Sequence, residues 1–483
     1  MSKNALLFLF IFNLQALKSQ VVLSLQDAIR LGQEVSPIGK QIRAAYQSNQ
    51  WQFKAAKASR LPQMGLTGSA PGYTKRINQN FQPDGSFVFA PIQQAFSSGF
   101  LSVNQNILAT GGRLSVGSGL SRGDIFSGTN STFYQSNLLA VSLSQPLFRF
   151  NSLKWQWKQD KLQVNMASRQ QIENLEDLSI TITQRYFDLY TANLQLKNAE
   201  FNQSINDTIY KIAKGRFGVG KIAENELLQV ELSYTNARNA VEQQKLSIIL
   251  AERQLQLLVG QPIKSNEVLP PLVIPNIKPE PALAVSEARN NRSELLNWQM
   301  NENQAQRNYR EAQLSRRFSA DMSISYGLNQ TGATFEAANQ NPLESQFAGV
   351  NFSIPIASMG MNRAQQKSAQ YNLEAQRELN QNNQNNLEQE VFAATLQFLQ
   401  LRSSLEISAK ADTIAQKRYE VARNRYRIGT VDITNLLIAQ NEKDQALITY
   451  VNTLRDFWVA FYRLRRLTLF DFEKNERLFK EQN

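Results

Sequence analysis

The chain has 483 residues, 42% of them hydrophobic, with 52 Lys and Arg against 40 Asp and Glu and neither a cysteine nor a histidine. That composition excludes disulfides, thiolate nucleophiles, zinc–thiolate sites and lipid attachment through an N-terminal cysteine. It also removes the commonest general base and metal ligand, so no catalytic residue, cofactor or metal site is expected. A mean hydropathy of −0.39 excludes a polytopic helical membrane protein, and the net charge of +12 is spread along helices among Gln and Asn without an aromatic-interleaved patch, so no nucleic-acid partner is expected.

In chain order, residues 1–19 read as a secretory signal peptide: Lys3 precedes an apolar run at 5–14, and a small residue, Ser19, precedes the expected cut. The run is too short against the roughly 20 residues a membrane-spanning helix needs. Residues 25–60 read as one helix, opened by Ser24 as cap and closed before Pro62. Alternating apolar positions then predict strands: Met64, Leu66 and Gly68; Leu101, Val103 and Ile107; Leu114, Val116 and Leu120; Leu139, Val141, Leu143 and Leu147. Residues 150–218 follow without a proline, giving about 100 Å of helix at about 1.5 Å per residue. A glycine-bearing turn and a helix at 221–260 complete the first unit. Residues 261–281 hold six of the 14 prolines and form an extended linker.

The second half then repeats the first. Val141 and Pro146 align with Val350 and Pro355, 209 positions on, and the same offset carries Arg216, Gly220, Leu227 and Leu228 onto Arg425, Gly429, Leu436 and Leu437 without a gap. A helix over 282–318, strands through Met322, Ile324 and Tyr326 and through Val350, Phe352, Ile354 and Ile356, a helix over 359–427 and another over 431–467 are predicted. The helices carry coiled-coil seams, such as Leu387, Val391, Ala394, Phe398, Leu401 and Leu405, or Leu447, Tyr450, Leu454, Phe457, Phe461 and Leu464. Alternating strands joined by Gly-, Asn- and Ser-rich loops are the pattern of a membrane β-barrel. The first repeat thus covers 20–260, the second 282–470, and 471–483 is a C-terminal tail.

Three features together resemble the TolC family of outer-membrane efflux proteins. They are the run Ser144, Gln145, Pro146, Leu147, Phe148; the twofold repeat; and the turns Arg216 to Gly220 and Arg425 to Gly429, each followed by a Leu pair. The resemblance implies a fold that is mainly α with membrane β. A homotrimer would form one shared outer-membrane β-barrel continuous with an α-helical barrel crossing the periplasm. It implies an exit duct of a tripartite efflux or type I secretion system, with a periplasmic adaptor and an inner-membrane pump as partners and outer-membrane lipid around the barrel. The tip turns at Gly220 and Gly429, with Leu227, Leu228, Leu436 and Leu437, would meet the adaptor, while Arg216, Arg425, Tyr426, Asp432 and Asn435 would hold or gate the tip. For the arginines, solvated surface charge is the alternative reading. The positions where some members carry a constricting acidic ring are Asn435 and Ile438 here. A structural coiled-coil envelope protein is the rival for the whole chain; it leaves the strands without a purpose.

Two details stay open in the sequence. The N-terminal helices align at an offset of 257 (Pro37 on Glu294), so the first copy holds 48 extra residues, which fit a hairpin over 100–120. It either joins the barrel, giving six strands per chain and 18 per trimer instead of 12, or folds over the mouth. The other is a near P-loop, Gly215 to Ile222, where Ile222 replaces the magnesium-binding Ser or Thr; the glycines are read as turn formers.

Overall fold

The computed structural model describes residues 23–264, 268–269, 271, 273–428, 430–431 and 433–479. The predicted signal segment therefore lies outside the described residues. Eight helices and eight strands appear among the described residues. The two longest helices, α3 (Ser152–Gly218) and α7 (Met361–Arg427), each run 67 residues, each about 100 Å at about 1.5 Å per residue. With α4 (Glu224–Val259) and α8 (Ile433–Thr468), both 36 residues, they form two antiparallel helical hairpins, one per repeat.

The two short helical arms are each broken where a continuous helix was predicted. Residues 25–60 divide into α1 (Leu25–Glu34) and α2 (Pro37–Ala58), because Ser36, preceding Pro37, is held extended at ψ 153°. Its hydroxyl then caps the new helix by accepting from the Gly39 N–H at 2.9 Å. Residues 282–318 divide likewise into α5 (Pro281–Asn291) and α6 (Ser293–Leu314). No proline marks that break. Instead Arg292, 3% exposed at its side chain, lies across it, 3.7 Å from Glu173 of α3 and 2.6 Å from Glu294. Glu173 also accepts from the Ser293 N–H at 2.8 Å and the Ser293 hydroxyl at 2.6 Å.

The core sits at this level. Leu25, Ala28 and Ile29 of α1 pack on Ile182, Tyr186 and Leu189 of α3, with Leu255 and Val259 of α4 and Phe457 and Phe461 of α8 completing the cluster. The Tyr186 hydroxyl lies between the carbonyls of Leu23 and Leu269, 2.8 and 2.5 Å away, and shares its one proton between them, tying the N-terminal segment and the linker to α3. The predicted seams face inward: Leu387, Val391, Phe398 and Leu405 on α7, and Leu454, Phe457, Phe461 and Leu464 on α8, are all buried. Beside the core, Arg465 bonds Glu176 and Asp471 at 3.1 and 2.5 Å. Burial pushes the Glu176 carboxyl above its ordinary range against the pull of Arg465. Asp471 belongs to β7 (Phe470–Asp471), which pairs with β8 (Glu476–Arg477) and turns the C-terminal segment back onto this region.

The other strands form one antiparallel sheet in chain order: β1 (Gln63–Phe81), β2 (Phe87–Asn106), β3 (Arg113–Ile125), β4 (Ser131–Leu147), β5 (Ser319–Gly332) and β6 (Leu343–Ser353). The strand expected to continue through Ile354 and Ile356 ends at Ser353 instead, since Pro355 offers no N–H to a ladder. The extra residues of the first copy lie in β2 and β3, inside the sheet.

Replacing Arg292 with Ala leaves the Glu173 carboxylate buried with one cation fewer. It should destabilise the fold by about 3–5 kcal/mol, read as a lowered thermal midpoint of the detergent-solubilised protein; an unchanged midpoint would refute the role given to the ion pair.

Candidate functional site

The molecule has two ends that meet an environment other than its own core: the helix-turn tip and the sheet. At the tip, α3 ends in a glycine cap. Gly220 takes φ +70°, its N–H donates to the Phe217 carbonyl at 2.9 Å, and the Lys221 N–H donates to the Arg216 carbonyl at 2.9 Å. These are the two bonds of a Schellman motif. In the second copy the Thr430 N–H donates to the Arg425 carbonyl at 3.0 Å, the equivalent long bond 209 positions on. The near P-loop therefore spends its backbone donors on ending a helix. Gly429 and Asp432, and the side chain of Tyr426, lie outside the described residues.

Arg216 and Arg425 serve these turns through their carbonyls, and their side chains are exposed. Asn435 is exposed as well. The two Leu pairs differ: Leu436 is 3% exposed and packed, Leu227 and Leu437 are half-buried, and Leu228 is 56% exposed. With Phe217, Val219, Leu232 and Ile428, all exposed, Leu228 leaves the tip with apolar surface that its own chain does not cover.

Several turns from the tip, a cluster that pattern reading did not single out joins the repeats. Asn202 of α3 donates to Asp444 of α8 at 3.1 Å, and Asp444 pairs with Lys443 at 3.0 Å. The Lys443 ammonium lies 4.9 Å from the Tyr419 ring of α7 and 5.4 Å from the Phe201 ring of α3. Arg418 and Glu442 pair across α7 and α8 on the outside. Burial raises the Tyr419 hydroxyl and, against the pull of Lys443, the Asp412 carboxyl above their ordinary ranges. The repeat offset carried the missing signal: Tyr419 and Lys443 correspond to Tyr210 and Tyr234, whose rings stack at 5.7 Å. One contact is conserved in geometry between the copies, aromatic on aromatic in the first and cation on aromatic in the second.

At the opposite end the sheet has two unlike faces. The pairing chain Met64, Val103, Val116, Val141, Tyr326 runs across five strands, and the neighbouring chain on the other face is Gly65, Ser102, Gly117, Ala140, Gly327, Ser345. Leu66 and Leu101, Leu114 and Leu143, and Met322 and Val350 extend the apolar face. Its members Met64, Leu66, Leu101, Val116, Ile324 and Val350 are exposed. Leucine, valine and isoleucine on one side with glycine and serine on the other is the alternation of a barrel strand between lipid and water. Among the described residues β1 pairs only with β2 and β6 only with β5, so both sheet edges are open. None of the described helices is long and apolar enough to cross a membrane, and the described residues contain no cluster of His, Cys, Asp or Glu able to hold a metal.

The family model for the outer membrane efflux protein matches residues 40–261 and 284–468. The chain belongs to the outer membrane efflux protein family. Outer membrane protein TolC of Escherichia coli (strain K12) is 24% identical over 319 residues, covering 63% of this chain and 64% of that protein, so the chain spans a little under two thirds of the curated relative's length. Among solved structures, the Campylobacter jejuni CmeC outer membrane channel superposes with a TM-score of 0.64 at 15% identity, over 92% of this chain and 85% of that one. The outer membrane protein VceC from Vibrio cholerae gives 0.63 at 13% identity, over 92% and 95%. The fold of the efflux family, two tandem repeats of long helices and antiparallel strands, is therefore the fold of this chain.

A Cβ at Gly220 would meet nothing within 4 Å, so its requirement for glycine is conformational rather than steric. Gly220→Val should cost about 1–2 kcal/mol through the left-handed backbone and speed proteolysis at the tip, whereas Gly220→Asn should be cleaved almost as slowly as the wild type. Equal cleavage of all three proteins would contradict the cap.

Proposed function

We propose that three copies of this chain form a passive exit duct through the outer membrane and periplasm, served by a periplasmic adaptor and an inner-membrane pump that supplies both energy and choice of cargo. The observation that carries this reading is the open, two-faced sheet at one end of helices about 100 Å long. In hydrocarbon an unpaired strand edge leaves every second backbone group unsatisfied, and β6 of one copy with β1 of the next closes the gap. An even number of strands makes that junction antiparallel like all the others.

The helices support the same assembly. α4 and α7 lie at opposite margins of the helical layer, α4 packing mainly on α3 and α7 on α6 and α8. Each margin carries uncovered apolar residues. On α7 these are Ile407, Ile414 and Val421, seven residues apart, with Ile428 continuing the spacing just past its end, and on α4 they include Leu228, Leu232, Leu246, Leu250 and Leu257. A heptad stripe facing solvent calls for a partner helix, and the neighbouring copy's opposite margin supplies one.

In this reading Gly220 and Gly429 shape the tip turns, and Leu227, Leu228, Leu436 and Leu437 support the adaptor-facing surface. Arg216, Arg425, Tyr426, Asp432 and Asn435 surround the entrance that must dilate for passage. The rival reading, a structural coiled-coil envelope protein, accounts for the stripes but not for a sheet with one lipid-like face.

Ile414→Glu should break the assembly, because each buried isoleucine is worth about 1.5–3 kcal/mol and the substitution is repeated at every interface. Sedimentation of the detergent-extracted variant should show single chains; a variant that sediments like the wild type would contradict the interface. In the native cell, deleting the protein should give the sensitivity or secretion defect of deleting the pumps it serves. A deletion phenotype matching no pump, alone or combined, would sink the duct reading.

A further inference from the structure

We infer that the strands β2 and β3, the surplus of the first repeat, are wall strands of the outer-membrane barrel. The shared barrel would then have eighteen strands and a bore close to that of the helical tunnel beneath it. The inference rests on the trimeric duct proposed above and adds what its membrane segment looks like.

Three observations place the hairpin in the wall. First, pairing is continuous: β2 pairs with β1 over Gln63 to Phe81 and with β3 over Gln94 to Asn106, and β3 pairs with β4 over Arg113 to Ile125. Second, the face pattern does not change on entering the hairpin. Leu101, Val103, Leu114 and Val116 lie on the same face as Val141 and Ile324, and Ser102 and Gly117 lie on the small, polar face with Ala140. A hairpin folded over the mouth would meet water on both sides and would have no use for this alternation. Third, the turn between the two strands, residues 107–112, lies at the helical end of the sheet and is fastened there. Asn151, the N-cap of α3, donates to the carbonyls of Leu108 and Ala109 at 2.9 and 3.2 Å. Gln145 accepts from the Thr110 hydroxyl at 2.7 Å.

The inner face shows that β2 and β3 are fitted to one another. The Phe100 ring crosses β3 where a Cβ on Gly117 or Gly119 would come within 2.7 and 2.4 Å of it. An aromatic ring over glycines on the neighbouring strand fills the gap those glycines leave and pins the register.

Geometry gives the consequence. Strands about 4.8 Å apart and tilted about 40° close into a circle roughly 36 Å across for eighteen strands and roughly 24 Å for twelve. Four helices per chain lie side by side at each level of the tunnel, and twelve helices about 10 Å apart close at roughly 38 Å. With the hairpin in the wall, the barrel continues the tunnel without a step, and lipid acyl chains are what covers Leu101, Val103, Leu114 and Val116.

The absence of cysteine allows single-site nitroxide labelling of the full protein in liposomes. Val116→Cys, Ser115→Cys and, as a reference in β5, Ile324→Cys are each labelled, and collisions with oxygen and with a water-soluble nickel chelate are compared. Val116 and Ile324 should both favour oxygen several-fold, and Ser115 should favour nickel. Nickel access at Val116 equal to that at Ser115, with Ile324 still shielded, would put the hairpin outside the wall. Nickel access at Ile324 itself would overturn the membrane barrel on which the inference rests. Cross-sections of the unmodified trimer by electron cryomicroscopy give an independent reading: eighteen strands support the inference and twelve defeat it.

Discussion

Backbone groups cannot be left unpaired in hydrocarbon, and the architecture follows from that constraint. One chain supplies an antiparallel sheet with an apolar face, a polar face and two open edges, which cannot stand alone in a bilayer. In the assembly proposed here, further copies of the same sheet close those edges. With the sheets closed around an axis as proposed, the helices attached to them would be arranged around the same axis and enclose a passage. The proposed channel is in this sense a by-product of satisfying hydrogen bonds at the membrane.

The junction that transmits this order lies midway along the helices. There the two short arms break, their stubs α1 and α5 pack on α3 and α4 and on α7 and α8, and buried polar groups fix the crossing points: the Tyr186 hydroxyl sits between two loop carbonyls, and Arg292 and Arg465 meet Glu173, Glu176 and Asp471. Buried ion pairs add little net stability but are costly to disrupt, which suits a place where two repeats must meet in one register. The helical hairpins beyond it are held mainly by stripes of apolar contact. Toward the tip that packing loosens into half-buried and exposed residues, with the Asn202, Tyr419, Lys443 and Asp444 group as the main polar tie between repeats. That gradient suits the proposed duct, which would be stiff where it is anchored and lightly fastened where it opens.

Much of this was legible in the residues because the signals were long. Sixty-odd residues without proline, seams at alternating three and four, and a repeat at a constant offset each state the helices independently. The strands were visible in type but not in extent: β1 and β2 run 19 and 20 residues, beyond the alternating core, because pairing continues into polar sequence outside the apolar belt. The break after Asn291 left no local mark, since its cause is a contact with α3 more than a hundred residues away. Within one chain the tip turns use the carbonyls of Arg216 and Arg425, a backbone role that no side-chain pattern announces. The Lys443 group was obscured among many Asn and Gln residues and emerges when the two copies are compared position by position.

The number of chains that share one membrane sheet decides whether the barrel closes. Light scattering of the protein extracted from purified outer membranes, corrected for bound detergent, measures that number directly. Three chains per particle is the predicted result. A monomer in detergent, or recovery of the protein in the soluble fraction, would contradict the shared barrel and with it the tunnel.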